Sequence, residues 1–146
     1  MPRIEKGTLI NARAKKVFSL LTNFHRWPEI FPNIIEVPEI TEKEGKTCIK
    51  WVYKMMGIRI KGEALIIESV PNQRLIIEIK MLAHIHWIWM LEEKQNITQV
   101  TSTVEYEIPS WGPVKIAKSL STEQQFEREL VTTLNTIKQI VESKSE

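Results

Sequence analysis

The last third of the chain, from Pro113 to about Ser143, constrains the fold most, because it predicts one long amphipathic helix. No glycine or proline follows Pro113 in this stretch. Its large apolar residues recur at steps of four, four, three and four: Phe126, Leu130, Leu134, Ile137 and Val141. A helix of about 25 to 30 residues, at ~1.5 Å per residue, spans roughly 40 Å and needs a broad apolar surface to pack on. Nearer its start the same face carries Glu123 and Ser119, so we expect a gap beneath the first turns.

The middle of the chain predicts the sheet that this helix would pack on. From Ile34 onward the apolar period changes to two, in segments bounded by turn residues: 34–43, 46–56, 58–70, 74–82, 84–94 and 97–108. Short turns between such segments are typical of an antiparallel meander. Residues 3–10 add a first strand. Two short helices follow it, one from Ala12 to about Thr22 with Asn11 as its N-cap and one around Trp27-Pro28. The predicted fold class is α+β, with a seven-stranded antiparallel sheet curled around a long C-terminal helix.

The strand at 84–94 carries hydrocarbon on both faces. One face holds Ile85, Trp87, Trp89 and Leu91, and the other holds His84, His86, Ile88, Met90 and Glu92. We place the tryptophan face inward. The outer face is apolar enough to need a cover, and a homodimer is the candidate.

Composition excludes several classes of protein. A chain of 146 residues with 42% hydrophobic and 26% charged residues predicts a single globular domain over 1–146. The net charge of +2, from scattered basic residues, argues against nucleic-acid binding. No apolar run approaches the length of a membrane span, and residues 1–6 lack the apolar core of a signal peptide. The single Cys48 cannot form an intrachain disulfide and fits a reducing compartment, so we expect a cytoplasmic protein.

The order of elements and the local sequence resemble a known group. The segments Ile10-Asn11-Ala12, Val17–Phe24 and Arg26–Pro32 are similar to the opening of the polyketide cyclase/dehydrase and lipid-transport family. The Trp-Pro-Glu-x-Phe-Pro element also resembles coenzyme-Q-binding START-like proteins, and His86-Trp87 and Val104–Ile108 match the group in position. The resemblance covers essentially the whole chain. It implies the helix-grip fold shared by START lipid-transfer domains and plant pollen-allergen proteins, with an apolar ligand held between sheet and terminal helix.

The aromatase/cyclases of this group fold a poly-β-ketone and assist its aldol condensations. The resemblance of this chain to the aromatase/cyclases implies an arginine before the Val-Pro turn that ends the fourth strand. It also implies a tyrosine shortly after the Trp-Pro-Glu element. This chain has Ser69 at the first place and Ile34 or Ile35 at the second. The cation that would polarise a ketide carbonyl is therefore missing there. The residues that could substitute for it are Arg59, Lys61 and His86.

Two histidines are the first candidates for chemistry. His84 and His86 lie two apart on a strand and share one face. A zinc site needs further ligands, which neither Cys48 nor His25 is placed to supply, so no metal is expected. His86 would serve as a hydrogen-bond donor or base if it faced a cavity. No cofactor motif is present, and no cofactor is expected.

Glutamates and tryptophans supply the other candidates. Glu123 and Glu127 lie four apart at the edge of the helical stripe, either as a solvated shoulder or as a polar rim at a cavity mouth. The catalytic candidates are His86, Glu123 and Arg59. Five tryptophans either pack the core or grip a planar ligand by stacking, worth ~0.5–1.5 kcal/mol per ring pair. The predicted ligand-binding residues are Trp51, Tyr53, Ile77, Ile79, Trp87, Trp89, Val104, Tyr106, Trp111, Phe126 and Leu130.

These observations predict a non-enzymatic binder or carrier of an apolar small molecule, such as a lipid, a quinone or a polyketide-like aromatic. The alternative is a polyketide aromatase/cyclase or dehydratase-type enzyme that uses the same cavity.

Overall fold

The computed structural model describes residues 3–55, 57–80, 84–107 and 112–143, without the side chains of 55, 112–123 and 125. A 3₁₀ turn at Phe24–Arg26 joins the first two helices. The remaining elements are β1 (Arg3–Ile10), α1 (Ala14–Leu21), α2 (Trp27–Ile30), β2 (Ile34–Lys43), β3 (Lys46–Met55), β4 (Ile58–Val70), β5 (Arg74–Lys80), β6 (His84–Lys94), β7 (Ile97–Glu107) and α3 (Gly112–Ser143).

The strands form one seven-stranded sheet in the order β1-β7-β6-β5-β4-β3-β2, and every neighbouring pair is antiparallel. Two of the predicted turns, Glu44-Gly45 and Gln95-Asn96, hold positive φ at both positions, between 53° and 78°. Two-residue hairpin loops need this backbone, and glycine and asparagine adopt it readily. The predicted meander and first strand are confirmed.

The core lies between the sheet and α3. The helical stripe is buried at Leu130, Leu134, Ile137 and Val141, and Phe126 packs partly buried against it. The tryptophan face of β6 points inward as predicted, with Trp89 fully buried. The side chains of Ser119 and Glu123, where we expect the gap, lie outside the part of the chain whose side chains are described.

The start of α1 differs from the prediction. The helix begins at Ala14 with Arg13 as its N-cap, so the assignment of Asn11 as the cap is wrong. Arg13 makes no side-chain capping bond. Instead the Ala14 N–H donates to Glu93 Oε1 on β6 at 2.9 Å. A carboxylate from a distant strand takes the place of the local cap, because it can accept from an otherwise unpaired N–H of the first turn.

The end of α3 is fastened to the connection between β1 and α1. Glu142 Oε2 accepts hydrogen bonds from the Asn11 N–H and from Lys138 Nζ, each at 2.7 Å. Lys138 Nζ also donates to the Leu9 carbonyl at 2.7 Å. The backbone hydrogen bond from Asn11, and then the bond from Lys138, hold the pKa of Glu142 below its ordinary value of 4.5.

Lowering the pH should weaken the hydrogen bonds that Glu142 accepts. A carboxyl with a lowered folded-state pKa contributes stability above its unfolded-state pKa and loses it as the pH falls through the folded-state pKa. We therefore expect Glu142→Gln to lower the unfolding temperature slightly at about pH 7, and to lose less stability than wild type between about pH 5 and about pH 3. Thermal unfolding followed by circular dichroism measures both. Glu92→Gln, at an exposed position on β6, is the control and should follow wild type.

Candidate ligand-binding site

A largely apolar cavity of about 50 Å³ lies between the sheet and α3. The sheet side comes from β3, β5, β6 and β7, the opposite wall from α3, and one end from the segment after α2. The described residues that line the cavity are Phe31, Pro32, Asn33, Ile34, Trp51, Tyr53, Ile79, Ile85, Trp87, Val104, Phe126, Glu129, Leu130 and Thr133.

The cavity is small compared with typical ligand pockets. A single water needs about 10–15 Å³ on this scale, and ligand pockets are typically ~300–1,000 Å³. A volume of about 50 Å³ therefore holds a few waters, and a larger ligand requires wall side chains to move. Phe126 and Trp87 are only half-buried. Among the aromatic residues that line the cavity, they are therefore the two that neighbouring side chains restrain least.

Five aromatic rings pack against one another in a continuous aromatic wall, which consists of Trp27, Phe31, Trp51, Trp87 and Trp89. Phe31 packs edge-on against Trp27 and Trp87, with ring centroids 5.1 Å apart in both pairs. Trp27 in turn contacts Trp51 at 5.6 Å, and Trp87 contacts Trp89 at 5.5 Å. These distances and tilts are those of favourable aromatic pairs. Each ring of this wall is held in place by contact with at least one other ring.

The short helix α2 places the first rings of this wall. The helix has Pro28 in its first turn, where the missing N–H costs nothing, and it lasts only four residues. The chain turns extended at Phe31, with φ −105° and ψ 117°. Trp27 is thereby buried in the core, where its Nε1 donates to the Leu21 carbonyl at 3.0 Å, while Phe31 reaches the cavity.

A polar cluster of Tyr53, Asn33 and Glu129 interrupts the apolar lining. The Tyr53 hydroxyl lies 2.7 Å from both carboxylate oxygens of Glu129 and donates to them. Asn33 Nδ2 donates to Glu129 Oε2 and lies 3.5 Å from the Tyr53 hydroxyl oxygen. Tyr53 is buried, and Asn33 and Glu129 are half-buried. The three residues join β3, the segment before β2, and α3 at the cavity wall.

Two buried indole N–H groups, on Trp51 and Trp89, find no hydrogen-bond partner among the described residues. Trp51 lines the cavity, whereas Trp89 is not among the described lining residues. Trp87, the third indole on the inner face of the sheet, donates from Nε1 to Ser102 Oγ at 2.6 Å. A buried donor without a partner costs about 1–3 kcal/mol. Among the described residues that line the cavity, Trp51 therefore carries an unsatisfied donor.

The predicted ligand-binding residues divide into three groups. The cavity is lined by seven of them: Trp51, Tyr53, Ile79, Trp87, Val104, Phe126 and Leu130. Ile77, Trp89 and Tyr106 face inward but lie in the packed core, outside the described lining. A period of two gives the side of the sheet to which a residue points but not its distance from a cavity, and a role of these three in ligand binding stays a prediction. Trp111 lies outside the described residues.

Several lining residues were missed. Glu129 lies three residues after Phe126 and so shares its helical face. The helical period could therefore have predicted Glu129 as a lining residue. Ile85 lies on the predicted inner face of β6. Asn33 stands in a turn segment and carried no such signal. The other lining residues that were not predicted as ligand-binding are Phe31, Pro32, Ile34 and Thr133.

Two of the catalytic candidates, His86 and Arg59, do not line the cavity. His86 is half-buried on the outer face of β6, directly opposite Glu78 on β5 and Glu105 on β7. Arg59 is exposed and lies 4.0 Å from the carboxylate of Glu36. His86 faces away because residues next to the inward Trp87 point to the other side of the sheet.

Of the remaining polar candidates, those whose side chains are described lie outside the lining. The side chain of Glu123 is outside the described part of α3. Glu127 forms an ion pair with Lys6 Nζ at 2.7 Å and is half exposed. Lys61 and Ser69 are exposed. Within the described residues, no three of His, Cys, Asp and Glu come together as a metal site would require.

The fold and the position of the cavity define a helix-grip domain of the START-like type. The chain belongs to the polyketide cyclase/dehydrase and lipid transport family, whose model matches residues 1–142. Among curated proteins, none matches this sequence significantly. No helix in the described ranges is long and apolar enough to cross a membrane.

Solved structures share this fold at low sequence identity. The Zhui aromatase/cyclase from Streptomyces sp. R1128 superposes with a TM-score of 0.87 at 16% identity, over 99% of this chain and 96% of that one. The protein TTHA0849 from Thermus thermophilus gives a TM-score of 0.80 at 16% identity, over 99% and 100% of the two chains. A START superfamily protein from Mycobacterium smegmatis gives 0.67 at 13% identity, over 94% and 98%. These likenesses establish the architecture.

Proposed function

We propose that this protein binds or carries an apolar small molecule, such as a lipid, a quinone or a polyketide-like aromatic, between the sheet and α3. The observation that carries the proposal is the aromatic-lined cavity with a polar cluster in its wall. Ligand pockets are mostly apolar and contain a few placed polar groups that orient the ligand. Membership of a family described by lipid transport as well as cyclisation supports the same reading.

Polar groups at this place are unusual for a wall that serves packing alone. The half-buried carboxylate of Glu129 accepts hydrogen bonds from Tyr53 and Asn33. An apolar side chain at position 129 would pack this wall without needing such partners. A functional role in orienting a ligand gives a reason for the arrangement.

Native mass spectrometry of the purified protein, with extraction of any bound molecule, tests the proposal. We expect either a co-purified apolar ligand or saturable uptake of an added one, such as a quinone or a fluorescent lipid analogue. Uptake should change tryptophan emission, because Trp51 and Trp87 belong to the wall. A protein that is empty and takes up none of these compounds would contradict the proposal.

A second candidate is an enzyme of the aromatase/cyclase or dehydratase type. The hydrogen bond from the Tyr53 phenol to Glu129, inside the cavity, favours it, because such a pair can move a proton to or from a bound substrate. The likeness to the Zhui aromatase/cyclase makes a poly-β-ketone the substrate class to try. Cyclisation of a β-polyketone that is lost in Tyr53→Phe with the fold intact would support an enzyme. An equal rate with and without protein would contradict it.

Two further predictions stay open. A homodimer through the outer face of β6 rests on half-buried Ile88 and on Met90, which is 48% exposed. Light scattering coupled to size-exclusion chromatography measures the oligomeric state, and a monomer would contradict the homodimer.

A cytoplasmic location stays a prediction that rests on the lone, free Cys48.

A further inference from the structure

We propose that Trp51 orients the ligand by donating a hydrogen bond from its Nε1 to an uncharged acceptor, the carbonyl oxygen of a ketone, a quinone or an ester. This inference rests on the binding function proposed above. It deepens that function by naming the polar group that the ligand carries and the residue that recognises it.

The four tryptophans that the structure describes differ in whether their indole N–H groups are paired. Trp27 and Trp87 donate to oxygen atoms of the protein, at 3.0 Å and 2.6 Å. The Nε1 atoms of Trp51 and Trp89 are buried and find no partner among the described residues. Trp51 lines the cavity, whereas Trp89 is not among the described lining residues. Of these two unpaired donors, Trp51 is therefore the one that a ligand in this cavity would meet.

The described surroundings of Trp51 explain why its donor stays unpaired. The residue directly opposite it on β4 is Gly62, which has no side chain to offer an acceptor. The ring that packs against it, at 5.6 Å, is Trp27, whose one polar side-chain atom is itself a donor. Trp51 is 3% exposed, so bulk water does not take the missing place. An acceptor that a ligand brings would remove the cost of this unpaired donor.

A single neutral donor decides which class of acceptor fits. An indole has one N–H and no acceptor atom, so the matching ligand group must accept. A carbonyl oxygen accepts this bond and brings no N–H or O–H that would need a partner of its own. A carboxylate also accepts, but one neutral donor does not offset the cost of taking an anion out of water. The matching group is therefore an uncharged carbonyl.

The donor meets a ligand only when the lining rearranges. Nε1 of Trp51 is itself buried, and the cavity of about 50 Å³ is smaller than an aromatic ligand. Displacement of Phe126 and Trp87, the half-buried rings of the lining, would enlarge the cavity. Binding therefore combines an opening of the lining with the formation of the hydrogen bond from Trp51.

Two naphthalene derivatives of the same shape isolate this bond. 2-Acetonaphthone has a carbonyl oxygen where 2-isopropenylnaphthalene has a methylene group. We expect Trp51→Phe to lower the ratio of the ketone affinity to the alkene affinity about fivefold to tenfold, the loss of one buried hydrogen bond. The ratio cancels the effect of the smaller ring, which acts on both compounds. Equilibrium dialysis measures the two affinities.

Trp89→Phe is the matched control. It removes the same unpaired N–H from a fully buried indole outside the described lining, and it should keep the wild-type ratio. A third compound, 2-naphthoate, tests the charge of the acceptor. We expect it to bind wild type more weakly than 2-acetonaphthone, because its carboxylate loses more hydration than the ketone does.

NMR of the indole N–H groups tests the bond in wild type, without any substitution. A hydrogen bond moves an indole proton signal downfield. We expect 2-acetonaphthone to move the Nε1 proton signal of Trp51 further downfield than 2-isopropenylnaphthalene does. The alkene controls for the ring currents of the bound naphthalene. This measurement decides the question even if Trp51→Phe fails to fold.

The outcomes separate the two proposals. If neither the ketone nor the alkene binds wild type, the proposed binding function is wrong and the inference falls with it. If both bind but the Trp51 signal responds to them equally, the cavity binds ligands and the inference about the carbonyl is wrong. An unchanged affinity ratio in folded Trp51→Phe, or tightest binding by 2-naphthoate, would overturn the inference in the same way.

Discussion

Val104→Phe is expected to abolish ligand uptake while the protein stays folded. Val104 is buried on β7, lines the cavity and stands opposite Trp87 on the neighbouring strand. A phenyl ring at this position enters a void of only about 50 Å³ and leaves no room for a ligand. We expect affinity for any ligand that binds wild type to fall at least tenfold, with overpacking costing at most ~1–3 kcal/mol of stability. Calorimetric titration and chemical unfolding measure the two effects.

Val100→Phe is the matched control for this variant. Val100 lies on the same strand and is fully buried, but it is not among the described lining residues. The same added ring should therefore strain the packed core, at ~1–3 kcal/mol, and leave the affinity of the folded fraction close to that of wild type. Ligand uptake by Val104→Phe equal to that of wild type would show that ligands bind elsewhere.

Trp27→Ala is expected to destabilise the protein more than any single change on its surface. Trp27 is 1% exposed, and its ring contacts Phe24, Phe31 and Trp51. Truncating a buried tryptophan costs ~3–5 kcal/mol through lost burial and the cavity left behind. Urea unfolding should show this loss as a lower midpoint, with the slope unchanged if the transition remains two-state.

Trp27→Phe separates the ring from its hydrogen bond. This variant keeps an aromatic ring but loses the bond from Nε1 to the Leu21 carbonyl. We expect a cost of ~1–3 kcal/mol for the unpaired buried carbonyl, plus a smaller packing term. A loss for Trp27→Ala of less than ~1 kcal/mol, typical of surface positions, would mean that the aromatic wall does not hold α2 in place.

Most of the secondary structure was predictable, because its signals are local. The alternation of apolar and polar residues follows from strand geometry, and the helical stripe follows from 3.6 residues per turn. Strand starts agree with the prediction, and the predicted last residues of β3, β5 and β7 (56, 81–82 and 108) lie outside the described residues. The cap of α1 was not predictable in this way. Its partner, Glu93, is 79 residues away from Ala14 in the chain.

The cavity wall was predictable in part for the same reason. Alternation along β3, β6 and β7 places Trp51, Trp87 and Val104 on the inner face, where the structure finds them. Alternation places Trp89 there equally, yet Trp89 belongs to the packed core. Which inward residue meets empty space depends on how closely α3 approaches the sheet at each point, and no residue pattern in one strand contains that distance.

The sequence by itself determined the fold class, the meander, the inner face and the family, because each depends on short-range periodicity or on a local motif. Only the tertiary structure decided the polar cluster. Along the chain, Tyr53 is 20 residues from Asn33 and 76 from Glu129, and Asn33 is 96 from Glu129. The local sequence around each of them therefore does not indicate its partners. Their hydrogen bonds form only after the terminal helix lies across the sheet, because that packing brings a carboxylate, a phenol and an amide to one wall of the cavity.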